Sequence, residues 1–243
     1  MGAQERYLAD PLTRDDLKTA VVIPAYNEAE TIGELVRRAR RHADVCVVDD
    51  ASTDGTGALA ESNGCTHCVR HQTNTHIAGG ILSGFRWALG AGYDRCVTMD
   101  AGLSHDPDGI PAFMRHGRAD LVLGYRAARD NVPWYRQGLS WGANRLMNLA
   151  LPGQFWPGRG AGLRDATSGY RMYSRRAMQL LVDAQMQSRT FDFHIEALAY
   201  IYRAGFTIEE EPIRYAFTNS SLRPTIVVDA LKTCGRIWVT ELR

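Results

Sequence analysis

A chain of 243 residues, 45% of them hydrophobic, can bury one sizeable core, as one large domain or a domain with a small appendage. A formal net charge of +1 excludes bulk attraction to nucleic acid or to an anionic membrane, so any such contact rests on local patches. Five cysteines, an odd count without framework spacing, point to a reducing compartment, and the lone CxxC at Cys65–Cys68 is half of what a structural zinc site requires.

No run reaches the roughly 18–20 apolar residues of a membrane span. Residues 1–18 mix acids and bases and lack an apolar core, so they read as an N-terminal extension rather than a signal peptide. The expectation is a cytoplasmic protein that would meet lipid only peripherally, at the inner face of the membrane.

Strand-length apolar runs then alternate with helix-period segments, the pattern of an α/β fold with a mostly parallel sheet. Ala20–Pro24 predicts a strand and Glu28–His42 a helix with Ile32, Leu35, Val36 and Ala39 on one face. Val45–Asp49 predicts a second strand, a helix starts at Thr56, and a short strand covers His67–His71. The helix Ile77–Ala91 leads into strands at Arg95–Asp100 and Asp120–Gly124. The stretch Leu151–Gly162 is rich in Gly and Pro and predicts a long loop. A strand at Gly169–Tyr173, helices near Ser174–Asp183 and Asp192–Ala204, and a strand near Thr207–Tyr215 follow. In the last segment Val227, Leu231, Cys234, Trp238 and Leu242 form one stripe at helical spacing, which fits either a membrane-surface helix or a helix packed on its own domain.

Ligands of open α/β sheets sit beyond the carboxyl ends of the strands. Three clusters fall there: Pro24-Ala25-Tyr26-Asn27-Glu28, Asp49-Asp50 with Asp54, and Asp100 with Asp106. Such carboxylates can hold ribose hydroxyls, a base N–H or a divalent cation, although a single Asp at a strand end often only caps a helix. The first loop is not GxGxxG, which argues against a dinucleotide cofactor.

These segments, with Leu123-Gly-Tyr-Arg126, Tyr135-Arg136, Ser140, Asn144, Asp165-Ala-Thr-Ser-Gly-Tyr-Arg171, Phe191-Asp-Phe-His-Ile-Glu196 and Glu210-Glu-Pro-Ile213, resemble the family 2 glycosyltransferases. Within them the sequence is most similar to the polyprenyl (dolichol) phosphate mannosyltransferases, over roughly residues 20–215. The resemblance implies a GT-A nucleotide-diphospho-sugar transferase fold over 19–222, and the apolar stripe beyond it reads as a C-terminal amphipathic helix over 223–243. It implies a nucleotide-sugar donor (a GDP- or UDP-hexose), a polyprenyl phosphate acceptor and inversion at C1. Pro24, Ala25, Tyr26, Glu28, Asp49 and Asp50 would line the donor site, and Asp100 would sit by the diphosphate and a Mg²⁺ or Mn²⁺ ion. Arg126, Arg136 and Ser140 would grip the acceptor phosphate, and Asp100, Asp165, Arg126 and Arg136 make up the implied catalytic set.

Two departures qualify this. Where the family has Asp-x-Asp, this chain has Asp100-Ala-Gly102, so the expected metal requirement is weaker, with Ser104 or Asp106 as possible helpers. The basic loop expected after the Pro-Ile strand is Phe217–Arg223, with Arg223 its one cation. A phosphate-monoester acceptor is already ionised near neutral pH, whereas a sugar hydroxyl would need a general base, for which Asp165 or Glu196 are the choices. Transfer to a hydroxyl is therefore the alternative reading, and a catalytically silent nucleotide-sugar binder, with Gly102 as the mark of decay, is a third.

Overall fold

A computed structural model describes residues 17–130, 162–216 and 232–237, with residues 142, 144, 145 and 148 between. Arg136, Ser140, Arg223 and most of the Leu151–Gly162 segment lie outside the described residues. The chain forms β1 (Thr19–Ala25), α1 (Ile32–Ala39), β2 (Asp44–Asp49), α2 (Thr56–Ser62), β3 (His67–Arg70), α3 (His76–Gly90) and β4 (Arg95–Thr98). A 3-10 turn at Pro107–Gly109 then runs into α4 (Ile110–Met114). After these come β5 (Leu121–Asp130), β6 (Arg171–Ser174), α5 (Arg175–Asp183), α6 (Phe193–Arg203) and β7 (Ile208–Ala216).

The seven strands form one sheet in the order β3-β2-β1-β4-β6-β5-β7. β6 alone runs antiparallel to its neighbours, so the other six strands share one carboxyl edge. Strands covered on both faces read as unbroken apolar runs, which is what β1 shows. Its side chains alternate between two cores. Ala20 and Val22 join the α3, α5 and α6 side with Ile81, Phe85 and Leu198. Val21, Ile23 and Ala25 join the α1 and α4 side with Leu35, Val36, Ile110 and Phe113. Each such buried aliphatic or aromatic side chain contributes roughly 1.5–3 kcal/mol.

α3 lies close to β1 because two glycines one turn apart face it: a Cβ on Gly80 would come within 2.8 Å of Pro24, and one on Gly84 within 2.3 Å of Val22. α1 is shorter than its periodicity predicts. Asn27 takes a positive φ of 55°, and the Glu28 carbonyl is used by Thr31 and Ile32, so the chain turns before the helix begins. The segment 232–237 packs on the domain: Ile237 is fully buried and Cys234, the described member of the apolar stripe, is 9% exposed in the α6-side core. Thr233 donates to Asp192 at 3.0 Å and Arg236 pairs with Glu196 at 3.1 Å, which fastens this helix to α6.

Candidate active site

Register builds the site. β1 and β2 pair Ala25 with Asp49, and β1 and β4 pair Val22 with Thr98, so Asp49 and Asp100 emerge on either side of the end of β1. β6 pairs Arg171 with Thr98 in the opposite sense, which sets Gly169 against Asp100. A β-bulge between Arg126 and Ala128 interrupts the β5–β7 pairing where Arg126 leaves the strand, and bulges of this kind re-aim a side chain at a sheet edge.

The loops after β1 and β2 are laced together. Asn27 N–H donates to Ser52 Oγ at 3.0 Å and Asn27 Oδ1 accepts from Thr53 N–H at 2.9 Å. Glu28 N–H donates to Thr56 Oγ1 at 2.8 Å. Asp54 accepts from Ala29 N–H and Thr56 N–H, both at 3.0 Å, so it holds a turn and the start of α2. Asp49 accepts from Ser52 N–H at 2.9 Å and is buried. Asp50, also buried, receives three bonds on one oxygen, from Thr75 N–H and Oγ1 at 2.8 Å and His71 Nδ1 at 2.7 Å. Burial would raise its pKa, but the bonds from His71 and Thr75 hold it below the usual carboxylate value. Glu28 is half-buried and goes the other way: burial pushes its pKa up, and Asp100 and Asp54 add to the rise. Pro24 and Ala25 close β1, and Tyr26 stands exposed beside them.

Asp100 is different, its side chain 38% exposed. Its backbone N–H donates to His105 Nδ1 at 3.3 Å. His105 is buried, stacked on Tyr170 and bridged to Tyr215. Burial drives its pKa down, so the neutral ring accepts at Nδ1 and the 3.7 Å approach to the Asp100 carboxylate is not an ion pair. Asp106 is drawn elsewhere, to Arg38 and to Asp108 N–H at the 3-10 turn. Gly102 borders open space, with nothing within 4 Å of where a Cβ would be.

On the other flank, Arg126 grips Asp165 with both arms of its fork, Nε to Oδ2 at 2.6 Å and Nη2 to Oδ1 at 2.9 Å, and reaches Thr167 Oγ1 at 2.6 Å. Its guanidinium also lies over the Tyr215 ring at 5.3 Å. Asp165 is 2% exposed. Burial alone would raise its pKa, but Arg126 and Thr167 hold it below the usual range, so it stays ionised. Asn144 steadies this segment, donating to the carbonyls of Leu163 at 3.0 Å and Arg164 at 2.9 Å and accepting from Ala166 N–H. Glu196, 1% exposed, accepts from Gln187 N–H and Ser188 N–H and pairs with Arg236.

The structure therefore brings Glu28, Asp54, Asp100, Arg126 and Asp165 to one edge and turns most of the acids inward. The partners His71, Thr75, His105 and Thr167 had no assigned role in the sequence reading. His105 and Thr167 sit inside quoted motif segments, whereas His71 and Thr75 lie outside them and reach Asp50 across 21 and 25 residues.

A mostly parallel seven-stranded sheet with acids along its carboxyl edge defines a GT-A glycosyltransferase fold. Glucosyl-3-phosphoglycerate synthase from Mycobacterium tuberculosis, solved with Mn²⁺ and UDP-glucose, superposes with a TM-score of 0.69 at 18% identity, over 91% of this chain and 80% of that one. The profile of Glycosyl transferase family 2 matches residues 20–181. The undecaprenyl-phosphate mannosyltransferase of Micrococcus luteus is 34% identical over 82% of this chain and 84% of that protein. The polyprenol monophosphomannose synthase of Mycolicibacterium smegmatis is 33% identical over 85% and 80%. The chain belongs to glycosyltransferase family 2.

Proposed function

We propose that this glycosyltransferase moves a hexose, mannose by its relatives' names, from a nucleotide-diphosphate sugar to a polyprenyl phosphate, with inversion at C1. The observation that carries this is the fate of the two acids that could activate a hydroxyl. Asp165 and Glu196 are both sealed and spent on arginines and backbone N–H groups. A phosphate monoester, with a second pKa of about 6, needs no such base. Arg126, oriented by its ion pair with Asp165, leaves no uncompensated carboxylate on the flank where an anionic nucleophile would arrive and presents a guanidinium there. Arg136 and Ser140 are proposed to complete that grip.

On the donor flank, Pro24, Ala25, Tyr26, Glu28, Asp49 and Asp50 are proposed to shape the nucleoside pocket, the last two by holding its loops. Among the described residues no group of three His, Cys, Asp or Glu side chains could hold a metal ion. The exposed Asp100 carboxylate fits a Mg²⁺ or Mn²⁺ ion that takes its remaining ligands from the donor diphosphate and water. When bound, that ion neutralises charge on the departing diphosphate. Among the described residues no helix is long and apolar enough to cross a membrane, so the lipid phosphate would be met peripherally, at the inner face.

The test offers one labelled nucleotide sugar to a polyprenyl phosphate and to the matching polyprenol. Labelled lipid is expected from the phosphate alone. Transfer to the alcohol with the phosphate inert would show the acceptor reading to be wrong, and tight donor binding without any transfer would favour a silent binder.

A further inference from the structure

One buried polar side chain behind the rim is left without a use in the fold. His194 lies in the first turn of α6, 2% exposed, against the rings of Phe191 and Phe193. Arg171 lies beside it and donates to the His194 carbonyl at 2.8 Å. Neither ring nitrogen of His194 has a hydrogen-bond partner among the described residues. Buried polar groups are nearly always satisfied, by protein or by ordered water. Burial, with Arg171 and His105 nearby, keeps the imidazole neutral, so it carries one N–H to give and one nitrogen to receive.

Gly169 shows where that ring points. A Cβ on Gly169 would lie 3.1 Å from His194 Nε2 and 2.9 Å from Asp100 Oδ1. The two atoms are thus no more than about 6 Å apart, the sum of those distances. Two ordinary hydrogen bonds of about 2.8–3.0 Å through one oxygen span such a gap.

We propose that His194 is a positioning residue for Asp100: a single enclosed water beside Gly169 accepts the Nε2–H and donates to Asp100 Oδ1, aiming the carboxylate at the donor diphosphate. Its bonds to His194 and Asp100 give it two of the two to four partners a fixed water needs. Any side chain at position 169 would press on Asp100 Oδ1 and His194 Nε2, the two atoms that the water joins. The inference rests on the proposed role of Asp100 at the diphosphate.

The test compares His194→Leu, His194→Gln and Gly169→Ala with the wild type. Three quantities are read: the kinetic constants, the Mn²⁺ concentration that half-saturates the protein with GDP or UDP by electron paramagnetic resonance, and the melting temperature. His194→Leu is expected to lower kcat about tenfold and raise the Mn²⁺ midpoint about tenfold, the scale of losing a supporting hydrogen bond behind a metal ligand. Donor KM should stay within about twofold, and the melting temperature should hold or rise as an orphaned polar group is removed. Gly169→Ala should share the kinetic loss, and His194→Gln, which keeps a donor, should recover most of it. A high-resolution crystal of the wild type should show a water within about 3 Å of both atoms, a readout that does not depend on any variant folding. An unchanged kcat and Mn²⁺ midpoint in His194→Leu, or a dry gap in that crystal, overturns the proposal. Failure of the wild type to take up Mn²⁺ with either nucleotide would instead sink the reading of Asp100, and this inference with it.

Discussion

The two flanks of the carboxyl edge handle negative charge in opposite ways. Between β1 and α3, acids are held by hydroxyls, backbone N–H groups and a histidine: Asp49 by Ser52, Asp50 by Thr75 and His71, Asp54 by Ala29 and Thr56. Beyond β5, Asp165 and Glu196 each meet a guanidinium, of Arg126 and Arg236, while the buried Asp192 is held by Thr190 and Thr233. Hydroxyl and amide bonds satisfy a carboxylate without cancelling its charge, so the first flank stays a negative rim. An ion pair cancels it and orients the cation. Under the proposed function, a metal-bearing donor and a phosphate acceptor would each find the flank suited to it.

The largest effect should come from breaking the second flank's pairing. Asp165→Ala leaves Arg126 without its fork partner in a buried setting, and losing one member of such a pair costs about 3–5 kcal/mol. Urea unfolding should show that loss, and replacing both residues with apolar ones should cost much less. Equal losses for the single and double changes would mean that the pair is not what Asp165 supplies.

Asp100→Asn should behave in the reverse manner. Its side chain is exposed and its hydrogen bond to His105 is made by the backbone, so stability should stay within about 0.5 kcal/mol. Turnover should fall about 10²–10³-fold, the scale of losing a group that manages charge in the transition state. If instead Asp100→Asn unfolds the protein and keeps its rate, the contrast between the flanks is wrong. A gain is expected from Gly102→Asp, because the position borders open space. A second carboxylate there should lower the half-saturating Mn²⁺ concentration by about tenfold. An unchanged midpoint would place the metal away from residues 100–102.

Most of the fold could be read from the chain, since strands buried on both faces and helices with one apolar face announce themselves locally. The acids at the ends of β1, β2 and β4 were found where strand-end logic put them. What escaped was whatever depends on distant partners. The reversed direction of β6 is a pairing property, invisible in Arg171–Ser174 itself. α4 has five residues, too few to show a period. β5 runs on to Asp130 because β7 pairs with it, although its second half is polar. Asp165 and Glu196 look like free acids in sequence, because Arg126 lies 39 residues from the first and Arg236 far along the chain from the second. His194 sits in a quoted motif, yet only its burial without a partner singles it out.

The smallest effect asks whether the second flank's habit of closing acids with cations reaches the surface. His116, just after α4, presents one ring nitrogen to Glu209 and the other to Glu211 at 2.7 Å, with Arg115 also within 3.7 Å of Glu211. Two acceptors require two N–H groups, so this ring is an imidazolium when both bonds are made. Burial alone would lower its pKa, but the bonds it donates to Glu211 and Glu209 raise it above the ordinary 6.5. A folded pKa above the unfolded one gives stability that is complete below about pH 6.5 and lost as pH rises through the folded value. The cluster is partly exposed, so the contribution should be no more than about 1 kcal/mol. Urea midpoints of wild type and His116→Gln, taken from about pH 5.5 to pH 8.5, should differ at the acid end and converge at the alkaline end. A gap that stays constant across that range would mean that the ring acts by packing alone, and the pairing of acids with cations would then end at the protein's interior.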